Sequence, residues 1–354
     1  MVDLFQSSIN IILENQAASG AYLACPNFPT YQYSWFRDGS YIAYAMDRVG
    51  EHQSASRFFD WAVGVIMARR KLVTRVVEKV QAGKQPGVDE ILHTRYTTEG
   101  DAAEDEWPNF QLDGFGTLIW AMGQHQKLTQ TPLNKSWRQA SALLVDYLSA
   151  LWRRSCFDCW EEFPDEIHTH TLAAIYAGIR TGQRLLNYDY ESVLAGIKEY
   201  IQENAIHTGH FTKFAGTDVV DASLLGLSVP YGVFPIDDPR SKRTLEKIDE
   251  KLYRGGGLHR YAEDTYYGGG EWVLLTGWMA WYYARSGKRD RALKLKTWIE
   301  AQADEYGQLP EQVPATLNDP SMYQPWVDRW GEIARPLLWS HAMYLVLSNC
   351  LETK

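Results

Sequence analysis

Apolar residues recur at helical spacing along most of this 354-residue chain, and this periodicity constrains the fold more than any other feature. In the first such segment, one helix face carries Leu4, Phe5, Ser8, Ile9, Ile12 and Leu13. Spacings of three and four residues are typical of an amphipathic helix. We predict about twelve helices: this one and others near residues 38–49, 52–80, 112–127, 136–152, 167–185, 190–205, 219–227, 241–252, 271–286, 289–305 and 336–350.

Two long stretches, residues 81–108 and 306–335, lack this periodicity and are predicted as loops. Long loops in compact domains usually carry function. Alternating strand patterns are few, and the glycine triplets at 255–257 and 268–270 indicate loops rather than hairpins. No linker rich in Pro, Ser or Gly divides the chain, so we predict a single all-α domain over residues 1–354.

Clusters that combine Trp, Arg and carboxylates recur about every 40 to 70 residues, which is the length of one helical hairpin. These clusters lie at residues 35–38, 107–113, 160–162, 218–221, 260–264 and 311. A hairpin of two helices returns the chain to the same side of the molecule, so one cluster per hairpin would collect at one end of a ring. The economical architecture is an (α/α)6 barrel, six helical hairpins in a toroid.

The net charge of −9 and the isoelectric point near 5.5 disfavour nucleic acid and anionic membranes as partners, because both attract basic surfaces. A small neutral ligand is compatible with this charge. No apolar run reaches the roughly 18 residues that a membrane span needs. The N-terminus lacks the basic and apolar regions of a secretory signal, so we expect a cytoplasmic protein. Its oligomeric state stays open.

Metal and cofactor chemistry has little support in the sequence. Cys156 and Cys159 form a single CxxC pair, and the nearest further ligands, His168 and His170, would face apart on one helix. Glycine-rich phosphate loops and nucleophile elbows are missing. We predict no metal site and no cofactor.

Two carboxylates are candidates for acid–base chemistry. Glu161 follows Trp160 and precedes Glu162, and burial beside an aromatic and a like charge favours the protonated carboxyl that a general acid needs. Glu311 lies 150 residues further on, in the second long loop. A pair of carboxyls flanks the scissile bond in glycoside hydrolysis. Taken alone, Glu161 is better explained as an acidic helix entry, and only the barrel would bring the two together.

Two further segments place arginine beside a carboxylate: Arg37 precedes Asp38, and Arg260 lies four residues before Asp264. An arginine offers a fork of donors and a carboxylate accepts several hydrogen bonds, so both suit the recognition of hydroxyl groups. An internal salt bridge at a helix entry explains each pair about equally well.

Five segments, taken in order, resemble glycoside hydrolase family 15, the family of glucoamylase and glucodextranase. Residues 31–39 resemble its Y-x-Y-x-W-x-R-D segment, residues 107–114 its W-x-x-x-Q-x-D-G segment, and residues 157–162 its general-acid motif (Y/F)-D-x-W-E-E. Residues 260–266 resemble R-Y-P-E-D-x-Y, and residues 310–312 with 336–342 resemble the general-base loop and the following helix. Together the matches run from about residue 20 to 345 in the order of the family.

The resemblance implies an (α/α)6 catalytic domain and a role for each matching residue. Glu161 would protonate the glycosidic oxygen, and Glu311 would deprotonate the attacking water, with 6.5–9.5 Å or so between the carboxyls. The implied substrate-binding residues are Arg37, Asp38 and Arg260 for the glucose hydroxyls, Tyr31 near the reacting carbon, Trp107 and Trp160 in the pocket wall, Glu162 near subsite +1, and the motif residues Trp35, Gln111, Asp113, Glu263, Tyr266 and Trp339.

The departures from the family narrow the expected substrate. Ala262 replaces the usual proline, and we see neither a starch-binding domain nor an N-terminal β-sandwich. We therefore expect an exo-acting inverting hydrolase that releases β-glucose from short neutral oligosaccharides such as isomaltose or maltose. The alternatives are a family-15 trehalase and a non-catalytic sugar-sensing barrel. An unrelated α/α-barrel cyclase is disfavoured, because residues 103–106 are a poor match to an aspartate-rich metal motif.

Overall fold

The computed structural model describes residues 3–352 of the protein. Within them the α-helices are α1 (Leu4–Glu14), α2 (Phe36–Arg48), α3 (His52–Ala68), α4 (Arg70–Gln81), α5 (Asp113–Thr129), α6 (Lys135–Leu151), α7 (Thr169–Leu186), α8 (Glu191–Asn204), α9 (Pro239–Leu252), α10 (Val273–Arg285), α11 (Arg289–Glu300), α12 (Tyr323–Trp330) and α13 (Leu338–Glu352). The strands are β1 (Ser34–Trp35), β2 (Arg95–Tyr96), β3 (Ile206–His207), β4 (His210–Phe211), β5 (Tyr253–Arg254), β6 (Gly257–Leu258), β7 (Glu271–Trp272) and β8 (Gln312–Val313).

Six elements form a closed inner ring in which each packs against the next. They are α2, α5, α7, the 3₁₀ helix Ala222–Leu227, α10 and α13, and α13 packs back against α2. Six further helices pack outside this ring: α1, α3, α6, α8, α9 and α11. Outer and inner elements alternate along the chain, with α4 and α12 as additional helices between an outer and an inner element, so each outer–inner pair is one hairpin. The fold is all-α and forms the predicted (α/α)6 barrel.

The sequences of inner and outer helices differ because their surroundings differ. In the inner helix α10 every residue from Val273 to Tyr283 is buried, and a helix that is apolar all round belongs in an interior. The outer helix α9 buries only a stripe, from Ser241 and Thr244 to Leu252. The core therefore sits in and around the inner ring. Among the described residues, no helix combines the length and apolar character that a membrane span requires.

Helices α5 and α7 approach closely because glycines face each other where they cross. A Cβ on Gly116 would lie 2.3 Å from the carbonyl oxygen of Ala174, and one on Gly178 would lie 2.7 Å from the Cα of Gly116. Any side chain at Gly116 would push the two backbones apart. This crossing fixes the spacing of two neighbouring members of the inner ring.

Four secondary-structure predictions are wrong, and the first three concern helices. The helix predicted over 52–80 is two helices that meet at Arg69, whose side chain donates to the carbonyl oxygen of Gly100 at 2.8 Å and lies over the ring of Tyr96. The helix predicted over 219–227 is the 3₁₀ helix Ala222–Leu227. The predicted loop 306–335 contains α12, whose apolar residues Tyr323, Trp326, Val327 and Trp330 do have helical spacing. The helix is only 8 residues long and none of its residues is fully buried, so the pattern is too short to stand out in the sequence.

The first glycine triplet forms a hairpin rather than the predicted loop. Strands β5 and β6 pair across Gly255 and Gly256, whose φ angles of 63° and 100° suit the left-handed turn of a two-residue hairpin. The strands belong to one antiparallel sheet in the order β5-β6-β7-β8. Strand β8 begins directly after Glu311, so this sheet supports the loop that carries one of the two candidate carboxylates.

Candidate active site

The first residues of the inner elements come together at one end of the barrel. Because an outer helix returns the chain each time, the inner helices run in the same direction. Residues at or beside the starts of α2, α10 and α13 line a common cavity of about 620 Å³, together with residues from the loops before α5 and α7. Backbone N–H groups are unpaired at helix starts, and this end of a helix carries partial positive charge. The cavity therefore combines helix N-termini with the carboxylates described below.

Most of the side chains predicted for the site line this cavity. They are Tyr31, Trp35, Arg37, Asp38, Trp107, Trp160, Glu161, Glu162, Arg260, Tyr266, Glu311 and Trp339. Glu161 comes from the loop before α7 and Glu311 from the loop before β8, so the barrel brings together two carboxylates that the sequence separates by 150 residues. The cavity contains acidic, basic and aromatic groups.

Glu161 is held by hydrogen bonds to one of its two carboxyl oxygens. Its Oε1 accepts from Trp35 Nε1 at 2.8 Å and from Gln111 Nε2 at 3.1 Å, and the guanidinium of Arg37 lies 3.9 Å away. In the described part of the chain Oε2 accepts no hydrogen bond. The backbone of Glu161 has a φ of 68°, a left-handed conformation that few non-glycine residues adopt. A strained residue of this kind persists only where its surroundings hold it.

Glu311 lies deeper and has fewer partners. Its exposed fraction is 4%, its Oε1 accepts from the Tyr31 hydroxyl at 3.1 Å, and its buried Oε2 has no hydrogen-bond partner within residues 3–352. The Tyr31 hydroxyl also lies 3.0 Å from the hydroxyl of Tyr266. Burial raises the pKa of Glu311 to about 8, against the lowering effects of Arg260 and the Tyr31 hydrogen bond. The carboxylate is thus desolvated and a stronger base than an exposed one.

Arg37 and Asp38 occupy the first turn of α2, and Trp35 immediately precedes it. The Arg37 guanidinium donates to Gln111 Oε1 at 2.7 Å, lies 3.5 Å from Asp113 Oδ2 and 3.3 Å from Asp38 Oδ2, and rests over the ring of Trp339. Burial raises the pKa of Asp38 to about 6, although Arg37 opposes the shift. Arg37 Nε and Asp38 Oδ2 are both buried without a hydrogen-bond partner in the described residues.

Arg260 and Glu162 form a second polar group in the cavity wall. Arg260 is ion-paired with Asp264 and lies 3.4 Å from Glu162 Oε1, while its guanidinium is surrounded by the rings of Trp160, Tyr261, Tyr266 and Trp272. The Tyr261 hydroxyl donates to Glu162 Oε2 at 2.7 Å. Burial raises the pKa of Glu162 despite the opposing charge of Arg260. The aromatic rings fix the guanidinium plane and exclude water from it.

Three predicted substrate-binding residues do not line the cavity. Gln111 and Asp113 are buried behind Arg37, where they contact its guanidinium, and Gln111 also contacts Glu161. Their geometry is that of supporting residues. Glu263 is exposed on the outer side of its loop, because the neighbouring Asp264 turns inward to pair with Arg260. The order of residues in a motif does not reveal which side chain points inward.

The sequence reasoning missed part of the cavity wall. Trp272 precedes α10, and Trp326, Arg329 and Trp330 extend from α12. The Trp326 ring lies 5.0 Å from that of Tyr266. The segment 326–330 combines two Trp, one Arg and one Asp, so the criterion that located the other clusters would also have found this one.

No group of three or more His, Cys, Asp and Glu residues within 3–352 is arranged to hold a metal ion. Cys156 and Cys159 are free, buried thiols near the Glu161 loop. Burial raises the pKa of both thiols, which keeps them in the unreactive neutral form.

Comparison with known proteins finds one family across nearly the whole chain. Residues 3–349 match the family described as glycosyl hydrolases family 15. The isomaltose glucohydrolase of Kribbella flavida is 39% identical over 355 aligned positions, which cover 98% of this chain and 92% of that protein. Trehalase 1 of Sulfolobus acidocaldarius is 27% identical over 75% of this chain, which spans about half the length of that relative (48%).

Solved structures share the architecture. A glycosidase variant in complex with glucose has 39% sequence identity and a TM-score of 0.95, with 99% of this chain and 96% of that chain aligned. A bacterial glucoamylase complexed with acarbose has 22% identity and a TM-score of 0.74, over 98% of this chain and 55% of that chain. At 22% identity, the similarity to this glucoamylase shows a shared fold alone.

Proposed function

The chain belongs to glycosyl hydrolase family 15 and is a glycoside hydrolase; we propose that it is an exo-acting, inverting enzyme that releases β-glucose from short α-gluco-oligosaccharides. One observation carries the proposal: Glu161 and Glu311 line one cavity, in surroundings that differ in hydrogen bonding and burial. The resemblance to the glucoamylase family favours exo-action.

Glu161 is the proposed general acid. Its Oε1 already accepts two N–H groups, so the proton to be donated resides on Oε2. During the reaction this proton moves to the glycosidic oxygen as the bond from that oxygen to the anomeric carbon breaks. The electron pair of the bond leaves with the departing sugar hydroxyl.

Glu311 is the proposed general base. The Tyr31 hydroxyl occupies Oε1, which leaves the buried Oε2 to accept the proton of a water molecule. The water oxygen attacks the anomeric carbon from the face opposite the leaving group, and the configuration inverts. The raised pKa of Glu311 increases the driving force for this proton transfer once the carboxyl is ionised.

Arg37, Asp38 and Arg260 are proposed to bind the hydroxyl groups of the terminal glucose. Arg37 Nε and Asp38 Oδ2 lie 3.3 Å apart as an ion pair, but neither buried atom has a hydrogen-bond partner in the described residues. Sugar hydroxyls can both donate and accept, so they could bond to both atoms. A site built to hydrogen-bond hydroxyls discriminates strongly against sugars that lack them, because its buried groups are then left unpaired.

The proposed substrates are short oligosaccharides of the isomaltose and maltose type. The 39% identity to an isomaltose glucohydrolase supports α-1,6-linked glucose, whereas similarity to a trehalase supports trehalose as the second candidate. A non-catalytic sugar-sensing barrel is a weaker alternative, because both carboxylates and the three hydroxyl-binding residues face one cavity.

Initial rates of glucose release from maltose, isomaltose, trehalose, kojibiose and nigerose at equal concentration test the proposal. We expect the fastest release from isomaltose, and proton NMR should show β-glucose before mutarotation. Fastest release from trehalose would establish the trehalase alternative, and initial α-glucose would refute inversion. Failure to release glucose from any of the five would support a sensing role.

A further inference from the structure

A buried ion network lies behind the loop that carries Glu161. The ammonium group of Lys213, which follows β4, lies 2.9 Å from Asp158 Oδ2 and 2.6 Å from Asp221 Oδ2. All three side chains are at most 4% exposed. None of them lines the cavity, so they cannot touch a sugar bound there. A charged lysine in such a position is expensive to bury and needs both partners.

Asp158 closes the Glu161 loop upon itself. Its Oδ1 accepts the backbone N–H groups of Trp160 and Glu162, each at 2.9 Å. Two backbone hydrogen bonds complete the turn: Asp158 N–H donates to the Glu162 carbonyl at 2.9 Å, and Glu161 N–H donates to the Asp158 carbonyl at 3.0 Å. Together these four bonds hold Glu161 at its φ of 68°. Without them the residue would relax towards an ordinary conformation and its carboxyl would move.

Asp221 holds the side chain of Trp160, the residue before Glu161 in the same loop. Its two carboxylate oxygens lie 3.1 and 3.0 Å from Trp160 Nε1, and its Oδ1 also accepts the N–H of Ser223. Asp158 and Asp221 thus fix consecutive residues of one loop, and Lys213 is the cation between them. If that charge were removed, two buried carboxylates would face each other, and at least one would turn away or take up a proton.

We propose that Lys213 is a positioning residue for hydrolysis: by pairing with Asp158 and Asp221 it keeps the strained Glu161 aimed into the cavity. The inference rests on the proposed function, in which Glu161 is the general acid. It predicts a specific defect. Loss of the Lys213 charge should impair proton donation to the leaving group more than sugar binding or water attack.

The variant Lys213→Met tests this, because methionine keeps an unbranched chain and removes the charge. We expect kcat for the best disaccharide of the panel to fall at least about 100-fold, the cost of misplacing a reacting group by about 1 Å. Hydrolysis of α-D-glucosyl fluoride should fall much less, since fluoride departs with little protonation. KM should change little. Lys296→Met is the matched control, because Lys296 pairs with Glu300 and the ring of Tyr344 far from the loop.

Glu161→Gln serves as the reference for a lost general acid. If Lys213→Met slows both substrates equally, or neither, Lys213 does not position Glu161. If Glu161→Gln itself fails to separate the two substrates, the proposed role of Glu161 is wrong, whatever Lys213 does. Circular dichroism establishes whether each variant is folded. Should Lys213→Met not fold, Asp158→Asn is measured in its place, and equal slowing of both substrates there overturns the proposal.

Discussion

At the scale of single residues, the two candidate catalytic carboxylates differ most in their partners. Two N–H donors hold Oε1 of Glu161, whereas Glu311 has one hydroxyl donor and a buried second oxygen. The first arrangement fixes which oxygen can carry a proton to be donated. The second favours uptake of a proton, because burial penalises the charged form. The proposed division of labour between acid and base therefore has a local structural basis.

Replacement of Glu161 and replacement of Glu311 should have different effects on two kinds of substrate. Glu161→Gln should reduce activity on disaccharides by about 100-fold or more, because general acid catalysis contributes 10²–10⁴-fold, but should affect α-D-glucosyl fluoride much less. Glu311→Ala should abolish activity on both, because water must be deprotonated in either reaction. Steady-state kinetics on the two substrates provides the measurement. Full activity of Glu311→Ala on the disaccharide would exclude Glu311 as the base.

The hydrogen bond from Tyr31 lowers the pKa of Glu311, while burial raises it to about 8. In the proposed mechanism the ionised form of Glu311 is the base, so activity should rise with pH through that pKa. Tyr31→Phe removes the lowering contribution, and the acid limb of kcat/KM against pH should move to higher pH. Tyr33→Phe is the control, because Tyr33 stands two residues away and does not line the cavity. An acid limb that stays in place, or moves to lower pH, would contradict the assignment.

At the scale of elements, the spacing of α5 and α7 depends on a single position. Gly116→Ala should destabilise the protein by about 1–3 kcal/mol, because its Cβ would overlap the backbone of α7. Gly64→Ala is the matched control, since Gly64 lies inside α3 with open space around it. That substitution should stabilise by about 0.5–1 kcal/mol through helix propensity. Urea denaturation measures the free energy of unfolding of both variants. Equal changes in the two variants would show that the close crossing of α5 and α7 is not essential.

Helix α12 is the element on which linkage preference is expected to depend. The Trp326 ring contacts Tyr266, whose ring neighbours Arg260 and hence Glu162, the residue that the family resemblance associates with subsite +1. Trp326→Ala should raise KM for disaccharides and change the ratio of isomaltose to maltose hydrolysis. The rate of hydrolysis of α-D-glucosyl fluoride, which has no second sugar, should be nearly unchanged. Trp326→Phe keeps a ring, so its KM and its ratio of isomaltose to maltose hydrolysis should lie between those of the wild type and Trp326→Ala. If this ratio were unchanged in both variants, α12 would be excluded from substrate selection.

At the scale of the whole molecule, ring closure determines where function is located. The inner helices run in parallel, so their N-terminal ends and the loops before them converge at one end. Five of the loops that precede inner elements contribute residues to one cavity, and each is followed by an inner helix. Closure depends on contact between chain regions distant in sequence: α13 packs against α1 and α2, and the ring nitrogen of His341 bonds to the hydroxyl of Ser8.

The sequence alone determined the helical class, the number of hairpins and the positions of the polar clusters. Helical periodicity indicates which face of a segment is buried, and this local property can be recognised from the order of apolar residues alone. For the same reason the barrel and the convergence of Glu161 with Glu311 were predictable. The family resemblance of the ordered motifs then implied a role for each carboxylate, which stays a proposal.

Only the tertiary structure decided which side chains face the cavity and what supports them. Glu263 points outward and Gln111 stands behind Arg37, although both lie in motifs that supply cavity residues. The break at Arg69 depends on a contact with Gly100, and the Glu161 loop depends on Lys213, 52 residues away. In irregular loops, orientation is set by hydrogen bonds and ion pairs between distant residues. Such contacts leave no periodic signal in the sequence.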